Sequence, residues 1–121
     1  MKSFILGCIY AILSVGLGAM GEHMLKDHLI EKDLNTLNTA TTYLFYIAVP
    51  LLMIGMTQRL VRWPSICGGL FALSGCLFSG SLIAYVATKN VGFVYITPIG
   101  GALLMISWLI FCIVGVRALN Q

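Results

Sequence analysis

Residues 63–88 read WPSICGGLFALSGCLFSGSLIAYVAT, a run without one charged side chain between Arg62 and Lys89. A helix needs about 20 predominantly apolar residues to cross a bilayer, so this run is long enough to span a membrane. Three further charge-free runs, residues 3–21, 34–58 and 90–116, meet the same criterion. Together the four runs take up most of the 121 residues. The sequence therefore predicts one all-α domain over residues 1–121, an integral membrane four-helix bundle of up-down-up-down topology.

The composition agrees with this interpretation. Charged residues make up 9% of the chain and hydrophobic residues 60%, whereas about 25% of residues are charged in an ordinary soluble domain. This balance excludes a soluble enzyme and a nucleic-acid binder. We expect spans at about 3–21, 34–58, 63–88 and 97–116. The last span begins at Thr97-Pro98, a pair typical of an N-cap followed by proline in the first turn.

The distribution of basic residues predicts the orientation. Four spans place both termini on one side of the membrane, and the side richer in Lys and Arg is expected to be cytoplasmic. We therefore predict a bacterial inner-membrane protein with cytoplasmic termini. The side of the termini carries Lys2, Arg59, Arg62 and Arg117, and the opposite side carries Lys26, Lys32 and Lys89.

The connection from Glu22 to Asp33 holds six of the eleven charged residues and both histidines of the chain. Its apolar residues fall on one helical face, which predicts a short amphipathic helix in the membrane interface between the first and second spans. Asp33 is expected to cap the second span, because acidic groups are favoured at a helix N-terminus.

Small residues recur at helical spacing in two spans. Such stripes allow helix backbones to approach closely in lipid, so they predict helix packing against the same chain or another one. The predicted packing residues are Gly7, Ala11, Ser14 and Gly18 in the first span, and Gly68, Ala72, Cys76, Gly80 and Ala84 in the third.

The spans themselves carry little chemistry. No Asp, Glu, Lys, Arg or His lies well inside any span, whereas coupled transporters keep ionisable residues there. Neither a Ser-His-Asp arrangement nor an H-E-x-x-H pattern is recognisable, so we expect no enzyme and no cofactor. A passive pore remains a minor alternative, with a path lined by Ser74, Ser79, Ser81 and Thr42.

Two binding alternatives concern the outer ends of the spans. Met20, His23 and Met24 lie near one helical face, and thioether and imidazole ligands suit copper(I); this is a weak metal candidate because no fourth ligand is evident. The second alternative is a small-molecule, lipid or quinone binder. Its candidate polar cluster consists of His23, Tyr43, Tyr46, Ser79, Ser81 and Thr97.

Residues 18–26, GAMGEHMLK, resemble the G-A-x-G-A-H-x-L-K signature of the YgdD/YwdK-like family of small membrane proteins, domain of unknown function four-two-three. Further similar blocks follow in order at residues 39–46, 77–82, 96–101 and 107–108. The resemblance implies a four-span inner-membrane protein without an established activity. Where the family commonly reads Y-Q-F-Y-H, this chain has Leu44 and Ile47 at the Gln and His places, which points to a packing role.

The sequence thus favours a non-enzymatic structural or accessory protein. Its expected partners are the lipid bilayer and either further copies of the chain or a larger membrane complex, and no nucleic acid.

Overall fold

The computed structural model describes residues 2–23, 27 and 30–120, and long α-helices occupy the four apolar runs. All four are long and apolar enough to cross a membrane, and the described part of the chain contains no strand. Inside a bilayer a helix satisfies every backbone hydrogen bond within its own segment, which explains why apolar runs of this length become helices. The predicted all-α, four-helix membrane fold is confirmed. The helices are α1 (Lys2–His23), α2 (Glu31–Thr57), α3 (Ser65–Thr88) and α4 (Thr97–Leu119).

Consecutive helices pack on one another, α1 on α2, α2 on α3 and α3 on α4. Their short connections make neighbours antiparallel, which gives the up-down-up-down topology. We call the end with the α1–α2 and α3–α4 connections the connection end, and the opposite end the terminal end. The core is centred on α2, which contributes five of its buried side chains: Leu44, Ile47, Ala48, Leu51 and Ile54.

Two helix starts differ from the sequence-based expectation. The residue before α2 is Ile30, in extended conformation and without a capping side chain, so the prediction that Asp33 caps this helix is wrong. The residue before α4 is Ile96, so Thr97 is not an N-cap either, although Pro98 does lie in the first turn. The Thr97 hydroxyl lies 2.6 Å from the hydroxyl of Ser81 on α3, and it therefore joins two helices instead of capping its own.

The two connections at the connection end are described to different extents. The connection from Glu22 to Asp33, where an interfacial helix is predicted, is partly taken up by α1, which runs to His23, and by α2, which starts at Glu31. Of the residues between them, 24–26 and 28–29 lie outside the described residues. The α3–α4 connection contains a short 3-10 helix, Val91–Tyr95. It begins after Lys89, whose left-handed backbone (φ 60°) ends α3. The Asn90 side chain accepts a hydrogen bond of 3.0 Å from the Gly92 amide and fixes the start of the 3-10 turn.

Candidate functional site

The first stripe of small residues lies between α1 and α2. A Cβ atom on Gly7 would lie 2.9 Å from the Leu52 side chain, and one on Gly18 would lie 4.0 Å from the Thr41 hydroxyl. Ser14 donates a hydrogen bond of 2.7 Å to the Thr41 carbonyl oxygen. The stripe therefore occupies an interface within the chain. Its predicted members are all buried or half-buried: Gly7, Ala11, Ser14 and Gly18.

The second stripe, on α3, has two different environments. Gly68 is buried, and a Cβ atom there would lie 2.7 Å from the Ser3 hydroxyl of α1. The Ala72 carbonyl accepts a hydrogen bond of 2.6 Å from the Tyr10 hydroxyl, also of α1. Gly80 is exposed, with no atom within 4 Å of an added Cβ. The stripe thus packs on α1 towards the terminal end and opens outward beyond it. Its other two members are Cys76, exposed and 3.3 Å from the Tyr10 hydroxyl, and half-buried Ala84.

α3 and α4 approach most closely at Gly100, which lies outside both predicted stripes. A Cβ atom there would lie 2.4 Å from the Phe78 backbone nitrogen, so the two backbones are in direct contact. Towards the terminal end, aromatic rings fill the interface. Phe71 is completely buried, and its ring meets those of Trp108 and Phe111 at centroid distances of 5.4 and 6.0 Å.

Serine hydroxyls join α2 to both of its neighbours at one turn. Ser79 of α3 donates a hydrogen bond of 2.9 Å to the Ala40 carbonyl, next to the Thr41 carbonyl that accepts from Ser14 of α1. Within the described residues, every buried side-chain nitrogen or oxygen has a hydrogen-bond partner. The interior polar groups therefore satisfy one another across and within helices, as apolar surroundings require.

The predicted polar cluster is only partly brought together. Ser81 and Thr97 form a hydroxyl pair, and the Ser81 hydroxyl also contacts the Phe78 carbonyl at 2.8 Å. Ser79 is buried against α2. These three hydroxyls are thus engaged in contacts inside the protein, which leaves them little capacity for a ligand.

The remaining members of the predicted cluster lie apart from these hydroxyls. Tyr43 and Tyr46 meet edge to face, with ring centroids 5.2 Å apart, and Tyr43 also contacts the Phe78 ring at 4.5 Å. Tyr46 is half-exposed. His23 is exposed at the end of α1, and no hydrogen bond within the described residues joins it to the rest of the cluster.

The weak copper(I) and pore candidates have the following surroundings. Met20 and His23 are exposed, and Met24 lies outside the described residues. Among the proposed pore-lining residues, Ser74 donates to the Phe71 carbonyl at 2.8 Å and Thr42 to the Asn38 carbonyl at 2.8 Å. Both hydroxyls therefore bond to the backbone of their own helix.

An ion pair that was not predicted joins the connection-end termini of α2 and α3. The Asp33 carboxylate contacts the Lys89 ammonium; the Asp33 side chain is 4% exposed and that of Lys89 53%. The sequence marked Lys89 as a boundary between spans and predicted Asp33 as a helix cap, but it did not indicate that the two side chains meet. Recognising the pair required the register of two helices whose sequence positions lie far apart.

A half-open cavity of about 200 Å³ lies at the connection end, between the last turns of α1 and the first turns of α2. It lies near the predicted outer-end site but is built from different residues. Its walls combine leucines, glycines, carboxamides and two carboxylates. The α1 wall consists of Leu17, Gly18, Gly21 and Glu22, and the α2 wall of Glu31, Leu34, Asn35, Leu37, Asn38 and Thr41.

Comparison with known proteins identifies relatives along the whole fold. The profile of the family described as "Protein of unknown function (DUF423)" matches residues 17–101. A UPF0382 membrane protein of Staphylococcus epidermidis (strain ATCC 12228 / FDA PCI 1200) is 41% identical over 118 residues, which cover 93% of this chain and 94% of that protein. The UPF0382 membrane protein YwdK of Bacillus subtilis (strain 168) is 37% identical over 123 residues, covering 98% of this chain and all of that protein.

No solved structure matches the chain. The family match and the full-length relatives confirm the resemblance seen in the sequence blocks. Together with four apolar helices of membrane-spanning length, they show that the chain is a multi-pass membrane protein belonging to the DUF423 family, whose function is unknown.

Proposed function

We propose that this protein is a non-enzymatic structural or accessory component of the bacterial inner (cytoplasmic) membrane, which packs against copies of itself or a larger membrane complex. The proposal rests on how the side chains are used. The interior hydroxyls of Ser14, Ser79 and Ser81 are engaged in contacts within the protein. The small residues on the outer surface have no such partners.

The main support for this packing is a set of outward-facing glycines. Gly16 on α1, Gly69 and Gly80 on α3 and Gly115 on α4 have no atom within 4 Å of an added Cβ. A glycine inside a helix lowers the stability of that helix by about 1 kcal/mol relative to alanine. At these four positions no close contact within the chain offsets that loss. In lipid, such positions allow a second helix to approach closely.

Large apolar side chains surround these glycines. Ile12 and Val15 on α1 are each 69% exposed, and Val116, next to Gly115 on α4, is 51% exposed. Their contacts in the membrane are with lipid or with a partner helix, and the neighbouring glycines favour a partner. α1 and α4 are the flanking helices of the fold, so both can present these faces without disturbing the α2-centred core.

Native mass spectrometry of the protein purified in mild detergent tests the proposal. We expect an oligomer or a co-purifying membrane protein, and we expect Gly16→Leu and Gly80→Leu to reduce that assembly by filling the approach surface. Ile12→Leu, on the same exposed side of α1 and nearly equal in volume, is the matched control and should leave the assembly intact. A monomer with no co-purifying protein would contradict the proposal.

The orientation is part of the same proposal, because the four-to-three division of basic residues favours cytoplasmic termini. Fusion of green fluorescent protein after Gln121 should give fluorescent cells, and fusion of alkaline phosphatase at the same place should be inactive. An active phosphatase fusion would place this end on the opposite side of the membrane.

A further inference from the structure

The cavity between α1 and α2 results from the way these helices diverge. Near the terminal end the backbones are in contact, since a Cβ on Gly55 would lie 2.7 Å from the Phe4 backbone nitrogen. Near the connection end the contacts are looser and involve side chains only: a Cβ on Gly18 would lie 4.0 Å from the Thr41 hydroxyl, and one on Gly21 would lie 3.4 Å from the Leu37 side chain. Gly18 carries no side chain that could fill the widening gap, so the cavity of about 200 Å³ remains.

The charged residues that line the cavity are both acidic. Glu22 and Glu31 contribute two carboxylates, Asn35 and Asn38 contribute carboxamide oxygens, and none of the described residues that line the cavity is basic. Glu22 lies in the last turn of α1 and Glu31 in the first turn of α2, so the negative end of one helix dipole and the positive end of the other offset each other and the two carboxylates set the sign of the site. The arrangement therefore favours a cation over an anion.

The size and apolar part of the lining indicate which kind of cation fits. A volume of about 200 Å³ equals that of six or seven water molecules at about 30 Å³ each, which accommodates an ammonium group and a short carbon stem. Leu17, Leu34 and Leu37 provide apolar surface for such a stem. The described residues contain no group of three His, Cys, Asp or Glu side chains that could hold a metal ion.

The position of the cavity indicates the source of the ammonium group. It lies at the ends of two helices of membrane-spanning length, and the ends of such helices are expected at the level of the polar lipid headgroups. A primary ammonium offers three N–H donors for carboxylate and amide oxygens, whereas a trimethylammonium group offers none. Exposed apolar residues of α1 such as Leu13 and Met20 are available to the acyl chains.

We propose that this cavity is a lipid site that binds the primary ammonium of an ethanolamine-type phospholipid headgroup between Glu22 and Glu31. The site is independent of the oligomeric packing proposed above, and it applies to either orientation of the protein because both bilayer faces carry headgroups.

The test compares lipid retention by native mass spectrometry after incubation with phosphatidylethanolamine and phosphatidylcholine of identical acyl chains. The natural chain should retain phosphatidylethanolamine with a preference of roughly tenfold, as expected for one charge-assisted hydrogen bond that choline cannot make. The double variant Glu22→Gln/Glu31→Gln should lose this preference, and Glu22→Asp/Glu31→Asp, which keeps both charges, should retain most of it.

Two leucine variants separate the cavity from the rest of the surface. Gly18→Leu should abolish the preference by filling the cavity, while Ala102→Leu, which enlarges an exposed residue of α4 at the same end of the bundle, should not. Circular dichroism checks that each variant is helical. If Gly18→Leu fails to fold, the carboxamide double variant decides the question, because Glu22 and Glu31 are exposed and their substitution leaves the packed interior unchanged.

Competition experiments identify the ligand further. Displacement of bound phosphatidylethanolamine by millimolar ethanolamine, but not by equimolar choline, supports an ammonium site. Equal retention of the two lipids, an unchanged preference in the carboxamide double variant, or displacement by calcium but not by ethanolamine would overturn the proposal. Binding of free ethanolamine without any preference between the two lipids would contradict the claim that the ammonium group belongs to a phospholipid. The same spectra report the oligomeric mass, so a monomer that retains phosphatidylethanolamine would contradict only the packing proposal.

Discussion

The α1–α2 and α3–α4 interfaces bring helices together with different side chains. Glycines on both partners bring α1 and α2 together: Gly7 of α1 lies against Leu52, and Gly55 of α2 lies against the Phe4 backbone. In the α3–α4 interface, the closest approach at a described glycine is at Gly100, where an added Cβ would lie 2.4 Å from the Phe78 backbone nitrogen.

From Gly100 towards the terminal end, aromatic rings fill the α3–α4 interface. The Trp63 and Phe111 rings stack with centroids 4.9 Å apart, and Trp108 meets Phe111 edge to face at 5.5 Å. Lipid supplies no hydrophobic drive between helices, so association depends on van der Waals contact and hydrogen bonds. Close backbone approach and large interlocking rings are two ways of obtaining that contact. Added atoms should therefore disturb the α1–α2 interface at several positions, and the α3–α4 interface chiefly at Gly100.

The largest expected effect is that of Gly100→Ala. The added methyl group would meet backbone atoms of Leu77 and Phe78 at 2.4 to 2.9 Å, and backbone cannot rotate away as a side chain can. We expect a loss of about 3 kcal/mol in the free energy of unfolding, the upper part of the range for overpacking. Unfolding in mixed micelles with increasing dodecyl sulfate, followed by circular dichroism, measures it.

Gly101→Ala is the control for this substitution, because its methyl group would make ordinary contacts of 3.6 Å with the Phe78 ring. Its effect should stay within about 0.5 kcal/mol. Equal losses for both variants would show that the closest α3–α4 approach is not at Gly100.

The α1–α2 interface should respond in graded fashion. Gly55→Ala would press against the Phe4 backbone at 2.7 to 2.8 Å, whereas Gly7→Ala would meet mainly the Leu52 side chain, at 2.9 Å. We expect losses of about 2 and about 1 kcal/mol in the free energy of unfolding. Gly16→Ala, with no neighbour within 4 Å, should lose nothing. A larger effect at Gly7 than at Gly55 would reverse the proposed order of contacts.

The number and approximate length of the helices could be predicted from the sequence. Bilayer thickness sets the length of a span, so charge-free runs predict four helices. The runs do not set the helix ends: α2 begins at Glu31, three residues before its charge-free run, because helical hydrogen bonding continues into the polar boundary.

The sequence says less about which small residues touch a neighbour. Gly100 and Gly101 are adjacent and chemically identical, and successive helical residues point about 100° apart, as 3.6 residues per turn requires. Only the rotation of α4 against α3 places Gly100 on Phe78, and that rotation depends on packing from the entire interface. The same holds for Asp33 and Lys89, whose contact depends on the relative register of α2 and α3.

The ion pair of Asp33 with Lys89 connects the two interfaces through the α2–α3 contact. Lys89→Met would leave the Asp33 carboxylate, 4% exposed, without its cation. Breaking a fully buried pair costs about 3–5 kcal/mol. Because the Lys89 side chain is 53% exposed, we expect a smaller loss of about 1–2 kcal/mol, reduced by solvent screening.

Lys89→Arg keeps the positive charge and should retain most of this stability in the same unfolding assay. Asp33→Asn combined with Lys89→Met should cost less than Lys89→Met alone, because no unpaired charge remains. If methionine and arginine at position 89 give equal stability, the ion pair contributes nothing to holding α2 on α3.

The smallest expected effect distinguishes bonds between helices from bonds within one. Ser14 and Ser107 are both buried, but Ser14 donates to Thr41 of a neighbouring helix at 2.7 Å, whereas Ser107 donates to Leu103 of its own helix at 2.7 Å. Ser14→Ala should lower the free energy of unfolding by about 0.6 kcal/mol, the average for such bonds in a membrane protein. Ser107→Ala should change it less, because its acceptor carbonyl keeps its bond within the helix. An equal loss at both positions would mean that the serines contribute through packing volume, and the α1–α2 interface would then depend on its glycines alone.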